Sequence, residues 1–247
     1  MRVGSLFSGI GGFDLGLERA GMKIVWQVEN DPFCRKVLAK HWPDVPCYGD
    51  IHDVGAHNLA EVDVCVGGFP CQPVSVAGKR KGQDDERWLW PEFARILREL
   101  RPRYAVLENV PGLLIRGMGD VLGDLAALGY DAEWGIVSAA SVGAPHLRKR
   151  IFIVAHAIGY SEGSAHREGS GRGFTGWQDE DIGQRHKVGS NASDGSGQWA
   201  AEPEVDRVVD GLPNRVDRLK SLGNAIVPQV AEWVGKRILD RIHQTNG

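Results

Sequence analysis

Through residues 2–158, short runs of β-branched and apolar residues alternate with longer stretches whose apolar positions recur at helical spacing. The pattern predicts strands at Arg2–Ser8, Lys23–Glu29, Val62–Phe69, Tyr104–Val110, Glu133–Ser138 and Ile151–Ala157, with a further short strand ending just before Gly49 and Asp50. Between them it predicts helices at Phe13–Gly21, Pro32–Trp42, Leu89–Arg101 and Val121–Leu128. Such alternation reads as βαβ units, an α/β fold on a doubly wound, mainly parallel sheet.

The pattern breaks at residue 159. Residues 159–203 hold ten Gly and six Ser, with scattered aromatics such as Phe174, Trp177 and Trp199, and cannot build much core. Order returns from Val205, and Val230, Val234, Ile238, Leu239 and Ile242 predict a helix over Val227–His243 that packs back on the first region. The expected organisation is therefore a domain at 1–158, a Gly-rich insertion at 159–203 and a segment at 204–247 that returns to the domain.

Composition narrows the class. The 247 residues are 42% hydrophobic and 25% charged, with 29 Lys plus Arg against 32 Asp plus Glu. That describes a globular domain and excludes wholesale disorder or collagen. A net charge of −3 excludes an indiscriminate polycation, yet leaves room for a nucleic-acid enzyme whose basic residues share one face. Met1 runs into Arg2–Phe7 without a charged-then-apolar leader, and no stretch approaches the roughly 18 apolar residues of a membrane span. The expectation is a cytoplasmic protein with no membrane association. Cys34, Cys47, Cys65 and Cys71 form no Cys-x-x-Cys pair and no grouping with histidine, which predicts free thiols, no disulfide and no metal.

Candidate chemistry sits where the predicted strands end. Phe7-Ser8-Gly9-Ile10-Gly11-Gly12-Phe13 forms a glycine-rich turn from strand to helix, which lets a ligand approach the backbone at a helix N-terminus. A nicotinamide-type G-x-G-x-x-G would need glycine where Asp14 stands, and an acid there is expected to oppose a pyrophosphate. The turn thus favours a nucleoside without phosphates. Glu29, closing the second strand, can accept from both ribose hydroxyls, and Asp50, closing the third, from an adenine amino group. Each alone reads equally as a helix cap or a solvated turn residue; their joint position at successive strand ends favours the ligand.

Cys65 lies inside a strand and reads as a small core residue. Cys71 stands just beyond that strand, between Pro70 and the Gln72-Pro73 pair, and leads into the basic loop Ala77–Arg87, a place suited to a nucleophilic thiolate. Glu108 ends the neighbouring strand, and adjacent parallel strands end at one edge, so it can face the same cavity. A carboxyl kept protonated by burial there can act as a general acid.

These residues, in this order, resemble the S-adenosylmethionine-dependent DNA (cytosine-5)-methyltransferases. The cofactor loop resembles Phe7–Phe13, the ribose acid Glu29, the adenine-contacting pair Asp50-Ile51, the nucleophile signature Pro70-Cys71-Gln72 and the acid signature Glu108-Asn109-Val110. Pro145-His146-Leu147-Arg148-Lys149-Arg150 looks like the Gln-x-Arg-x-Arg element, with His146 in place of glutamine, and Leu222–Pro228 resembles the closing motif of the cofactor pocket. The resemblance implies a Rossmann-like methyltransferase fold. It also implies that Cys71 attacks carbon 6 of cytosine while Glu108 serves ring nitrogen 3, with Arg148 and Arg150 lining the base pocket. It implies that Phe7, Gly9, Ile10, Gly11, Glu29, Asn30, Asp50, Ile51, Pro70, Leu89 and Asn224 hold S-adenosylmethionine. Gln72, Ser75, Lys79, Arg80 and Lys81 would meet duplex DNA around a flipped base. No metal is called for, and a monomer on DNA is implied.

By the same resemblance, residues 159–203 are a short target-recognition region. Their seven acidic residues against four Lys plus Arg suit phosphate contact poorly, though Arg172, Gln184, Arg185 and Lys187 can read base edges. Arg215, Arg218 and Lys220 would add phosphate contacts. Two other classes compete: a non-catalytic relative that binds DNA or cofactor, against which Cys71 and Glu108 argue, and a nicotinamide oxidoreductase, against which Asp14 argues.

Overall fold

A computed structural model describes residues 1–70, 88–159 and 215–245. Seven strands form one sheet: β1 (Arg2–Leu6), β2 (Lys23–Val28), β3 (Cys47–Tyr48), β4 (Val64–Gly67), β5 (Tyr104–Asn109), β6 (Tyr130–Val137) and β7 (Arg150–Ala157). Their order is β3-β2-β1-β4-β5-β7-β6. The first five pair in parallel, whereas β7 runs antiparallel to both β5 and β6. A parallel return needs a crossover, usually a helix, but residues 138–149 hold only the 3-10 turn Ala139–Val142. The chain therefore turns back beside β6.

Helices α1 (Gly12–Arg19), α2 (Pro32–His41), α3 (Trp90–Leu100), α4 (Leu113–Arg116) and α5 (Met118–Ala127) connect the strands, and α6 (Arg215–Asn224) and α7 (Pro228–Thr245) follow. β4 and β5 are buried along their whole length, because one face meets α3 and α5 and the other meets α1 and α7. Covering both faces is what makes these strands continuous apolar runs. On the first face, α3 buries Trp90, Phe93, Ala94, Ile96 and Leu97, each large side chain contributing about 1.5–3 kcal/mol. On the second, α7 buries Val230, Ala231, Val234 and Ile238 against Phe13 and Leu17 of α1. The helices meet closely because residue 16 is glycine: a Cβ there would lie 2.3 Å from the Pro228 carbonyl oxygen.

The predicted elements recur with shifted ends. β1 and β4 stop at Leu6 and Gly67, before Ser8 and Phe69, where the chain turns at the sheet edge, and β6 begins at Tyr130, ahead of Glu133. The single turn α4 is too short to show periodicity in sequence. Readings of residues 159–203, apart from Gly159 itself, and of 204–214 lie outside the described residues. Among the described residues, no helix is long and apolar enough to cross a membrane, and no group of three or more His, Cys, Asp or Glu is placed to hold a metal.

Candidate active site

Because β1 to β5 run in parallel, Phe7, Glu29, Asp50, Gly68 and Asn109 all arrive at one edge of the sheet. The glycine turn after β1 is built from left-handed residues: Phe7, Gly9 and Gly11 have φ of 52°, 57° and 84°. Around Gly9 no described atom lies within 4 Å of where a Cβ would stand, so its backbone opens on free space. Gly11 is different, since a Cβ there would strike the Trp42 ring at 2.4 Å. Ile10 stands half-buried between them.

Glu29 is 9% exposed. Its Oε2 accepts the Gly9 N–H at 2.7 Å and its Oε1 accepts the Asp31 N–H at 2.8 Å. The carboxylate thus ties the glycine turn to the start of α2, whose first N–H groups are capped by Asp31. Each oxygen keeps a lone pair for a hydroxyl donor. Asn30, beside it, is exposed. The Asp50 side chain is exposed, with Oδ1 accepting the His52 N–H at 3.0 Å and lying 2.6 Å from His52 Nδ1. These His52 contacts hold its carboxyl below the usual carboxylate range. Ile51 is buried, and its carbonyl accepts from Arg95 Nη2 at 2.8 Å while the Val54 carbonyl accepts from Arg95 Nη1 at 2.9 Å. Leu89 stands at the N-cap of α3, and Pro70 is exposed at the end of the segment leading to Cys71.

One expectation needs correction. Asp14 does not face the glycine turn: the first turn of α1 places it against the sheet, fully buried, with Oδ1 accepting from Gln27 Nε2 at 2.8 Å and Oδ2 from Ser5 Oγ at 3.0 Å. Burial pushes its pKa up to about 6 against the opposing pull of those two bonds. It therefore has no bearing on whether a phosphate fits the turn.

Glu108, 7% exposed, ends β5. A Cβ on Gly68 would lie 2.8 Å from its Oε2, so glycine lets the carboxyl sit against the chain leaving β4. Arg150 Nε lies 2.9 Å from Oε1 as an ion pair, and by hydrogen-bond geometry that oxygen takes no hydrogen bond among the described residues. Burial pushes the Glu108 pKa up to about 7 although Arg150 and Arg148 both pull it down. Next to it, Asn109 Nδ2 donates to the Phe69 carbonyl at 3.1 Å and fixes the chain just before Pro70. Phe69 itself packs edge-on against Trp88, ring centres 5.5 Å apart, so both described ends of the 71–87 segment meet there.

The two arginines of the Gln-x-Arg-x-Arg-like element separate. Arg150 faces Glu108, whereas Arg148 donates from Nη1 to the Gly223 carbonyl at 2.8 Å and from Nη2 to the Ala225 carbonyl at 2.5 Å. Asn224, exposed between those carbonyls, is brought to the same edge; His146 is exposed. Cys71, Gln72, Ser75, Lys79, Arg80 and Lys81 lie outside the described residues. Sequence reasoning missed Arg95, Trp42 and His52 as supports of the edge. For Arg95 a signal existed, since Glu92 and Glu99 stand three and four residues away on α3 and pair with it at 2.7 and 2.9 Å.

The sequence profile of the C-5 cytosine-specific DNA methylases matches residues 1–185. The chain belongs to that family. Among curated methylases it is 37% identical over 177 residues to the type II methyltransferase M.AquIA of Picosynechococcus sp., covering 63% of this chain and 71% of that protein. It is 37% identical over 166 residues to the type II methyltransferase M.NlaIV of Neisseria lactamica, covering 60% of this chain but 39% of that longer protein. The solved S. pombe Dnmt2 methyltransferase superposes with a TM-score of 0.57 at 22% identity, over 78% of this chain and 57% of the other, and shares the methyltransferase fold.

Proposed function

We propose that this methylase transfers a methyl group to carbon 5 of a cytosine in a short duplex DNA sequence. The observation that carries the reading is Glu108, a buried carboxyl that faces Arg150 at the strand end and sits against Gly68 in the segment that leads into Cys71, where burial pushes its pKa up to about 7.

The cofactor side suits a nucleoside with a positively charged sulfonium. Gly9 opens on free space, Glu29 offers unused lone pairs, and Asp50 directs Oδ1 to His52 while its second oxygen takes none of those bonds. S-adenosylmethionine, held by Phe7, Gly9, Ile10, Gly11, Glu29, Asn30, Asp50, Ile51, Pro70, Leu89 and Asn224, supplies an electrophilic methyl group for carbon 5. On the base side, the Cys71 thiolate adds to carbon 6 of the flipped cytosine, and Glu108 gives its proton to ring nitrogen 3. This turns carbon 5 into an enamine-like nucleophile. After methylation, ring nitrogen 3 returns its proton to Glu108, a base takes the carbon 5 proton, and Cys71 leaves as thiolate as the ring regains its aromaticity. Arg150 holds Glu108 in place as charge moves through the ring. Flipping the base costs roughly a few kcal/mol, which contacts from Gln72, Ser75, Lys79, Arg80 and Lys81 offset.

In this reading residues 1–158 are the catalytic domain, 159–203 read the target, and 204–247 complete the cofactor side, with one copy acting on one site. The type II designation of the relatives supports a sequence-specific activity of the restriction–modification kind. The test is to incubate the protein with S-adenosylmethionine and unmethylated genomic DNA and to map 5-methylcytosine by bisulfite sequencing. Methylation at a recurring short motif, absent with Cys71→Ser, is expected. Confirmed cofactor binding with no methylcytosine on any DNA would overturn the reading.

A further inference from the structure

Arg148 and Arg150 leave the same strand end, yet they use their guanidinium groups differently. Arg150 faces the Glu108 carboxyl, whereas both terminal nitrogens of Arg148 are spent on main-chain carbonyls of residues 223 and 225. The Gly223 carbonyl belongs to the last turn of α6, where carbonyls lack helical partners and a cation is favourably placed. Arg148 is half-buried and holds a left-handed backbone, φ 24°, a conformation that persists for a bulky residue only where its surroundings fix it.

The gripped segment leads directly to the cofactor loop. Immediately after Ala225, the Ile226 carbonyl oxygen fills the place where residue 12 lacks a side chain, 2.3 Å from an ideal Cβ. The end of the Ile226 side chain lies 3.8 Å from an ideal Cβ on Gly68, beside Glu108. Before it, Ser221 Oγ lies 3.4 Å from Cys34 Sγ of α2, the helix whose N-cap residue, Asp31, donates its N–H to Glu29. Residues 221–228 thus form a strap that touches α2, the glycine turn and the base side. Arg148 and the glycine turn thus hold neighbouring residues of one strap.

We propose that Arg148 is a positioning residue for cofactor binding: by gripping the strap at residues 223 and 225 it holds the glycine turn in its binding shape and couples the base side to the cofactor side. This deepens the methyl-donor reading above and rests on it. Coupling of this kind is reciprocal, so a bound cofactor also sets Arg148 for the target base.

The experiment is calorimetric titration of S-adenosylmethionine into DNA-free protein, for wild type, Arg148→Met, Arg148→Lys and Lys149→Met, with thermal midpoints measured alongside. Arg148→Met is expected to weaken binding about tenfold while the midpoint falls by only about a few degrees, and Arg148→Lys, which reaches one carbonyl, to weaken it by less. Lys149→Met removes the same charge from an exposed neighbour and is expected to bind like wild type. Wild-type affinity in Arg148→Met, or an equal loss in Lys149→Met, would overturn the proposal. If Arg148→Met fails to fold, Arg148→Lys decides the matter, wild-type affinity in it being the contrary result. A wild type that binds no S-adenosylmethionine would remove the cofactor reading itself and this inference with it.

Discussion

Glu29 and Glu108 close β2 and β5 at the same sheet edge with nearly equal exposure, 9% and 7%, but the protein surrounds them differently. Both Glu29 oxygens accept main-chain N–H groups, from Gly9 and Asp31. Glu108 faces Arg150 yet has an oxygen that takes no hydrogen bond among the described residues, and burial raises its pKa to about 7 although Arg150 and Arg148 pull it down. Equal burial therefore accompanies an acceptor that organises backbone in one place and a carboxyl with an unbonded oxygen in the other. What differs is the bonding offered to the carboxyl oxygens. Asp14 bounds the lesson: two side-chain hydrogen bonds, from Ser5 and Gln27, do not outweigh complete burial, and its pKa still rises to about 6.

Glu108→Gln should break the comparison most severely. The amide keeps a donor but loses the transferable proton, so turnover on methylatable DNA should fall about a thousandfold. The proposed mechanism needs the protonated form, so the wild-type kcat/KM should also fall as pH rises through about 7, and this alkaline limb should vanish in the variant. A limb retained in Glu108→Gln would assign the titration to another group.

Asp14→Asn sharpens it on the stability side. A pKa raised from 3.8 to about 6 means that the native state holds the proton more tightly than the unfolded chain. The associated stability is fully present below about pH 4 and is lost as pH rises through 6, about 3 kcal/mol in all. The asparagine keeps both partners, accepting from Gln27 and donating to Ser5, and should lose this pH dependence. Urea unfolding at pH 5 and pH 8 reads the difference; parallel behaviour of the two proteins would contradict it.

Glu29→Ala should have the smallest effect of the three. It frees the Gly9 N–H and removes the proposed ribose acceptor, which should weaken S-adenosylmethionine binding by about 2 kcal/mol while the fold survives. Calorimetry on DNA-free protein would show it, and unchanged affinity would remove Glu29 from the cofactor side.

Much of this edge was legible in sequence because it rests on local signals. Glycines with positive φ, acids at strand ends and proline-flanked turns are fixed by neighbours in the chain, so Gly9, Gly11, Glu29, Asp50 and Glu108 could be named in advance. The resemblance added Arg148 and Arg150 but not their division of labour, which depends on carbonyls from a distant segment. The direction of β7 was likewise invisible to periodicity, since antiparallel and parallel buried strands carry the same apolar run. Asp14 misled because its number placed it in the loop motif, whereas one helical turn carries its carboxylate to the opposite side, onto Ser5 and Gln27.

The most direct test of the Glu108 assignment is a carbon-13 NMR titration of protein labelled at the glutamate carboxyls, with Glu108→Gln used to assign its resonance. The account predicts that the Glu108 resonance titrates near pH 7, well above the ordinary range for glutamate. A Glu108 that titrates near 4.5, the ordinary value, would contradict the assignment of this residue as the acid of the reaction.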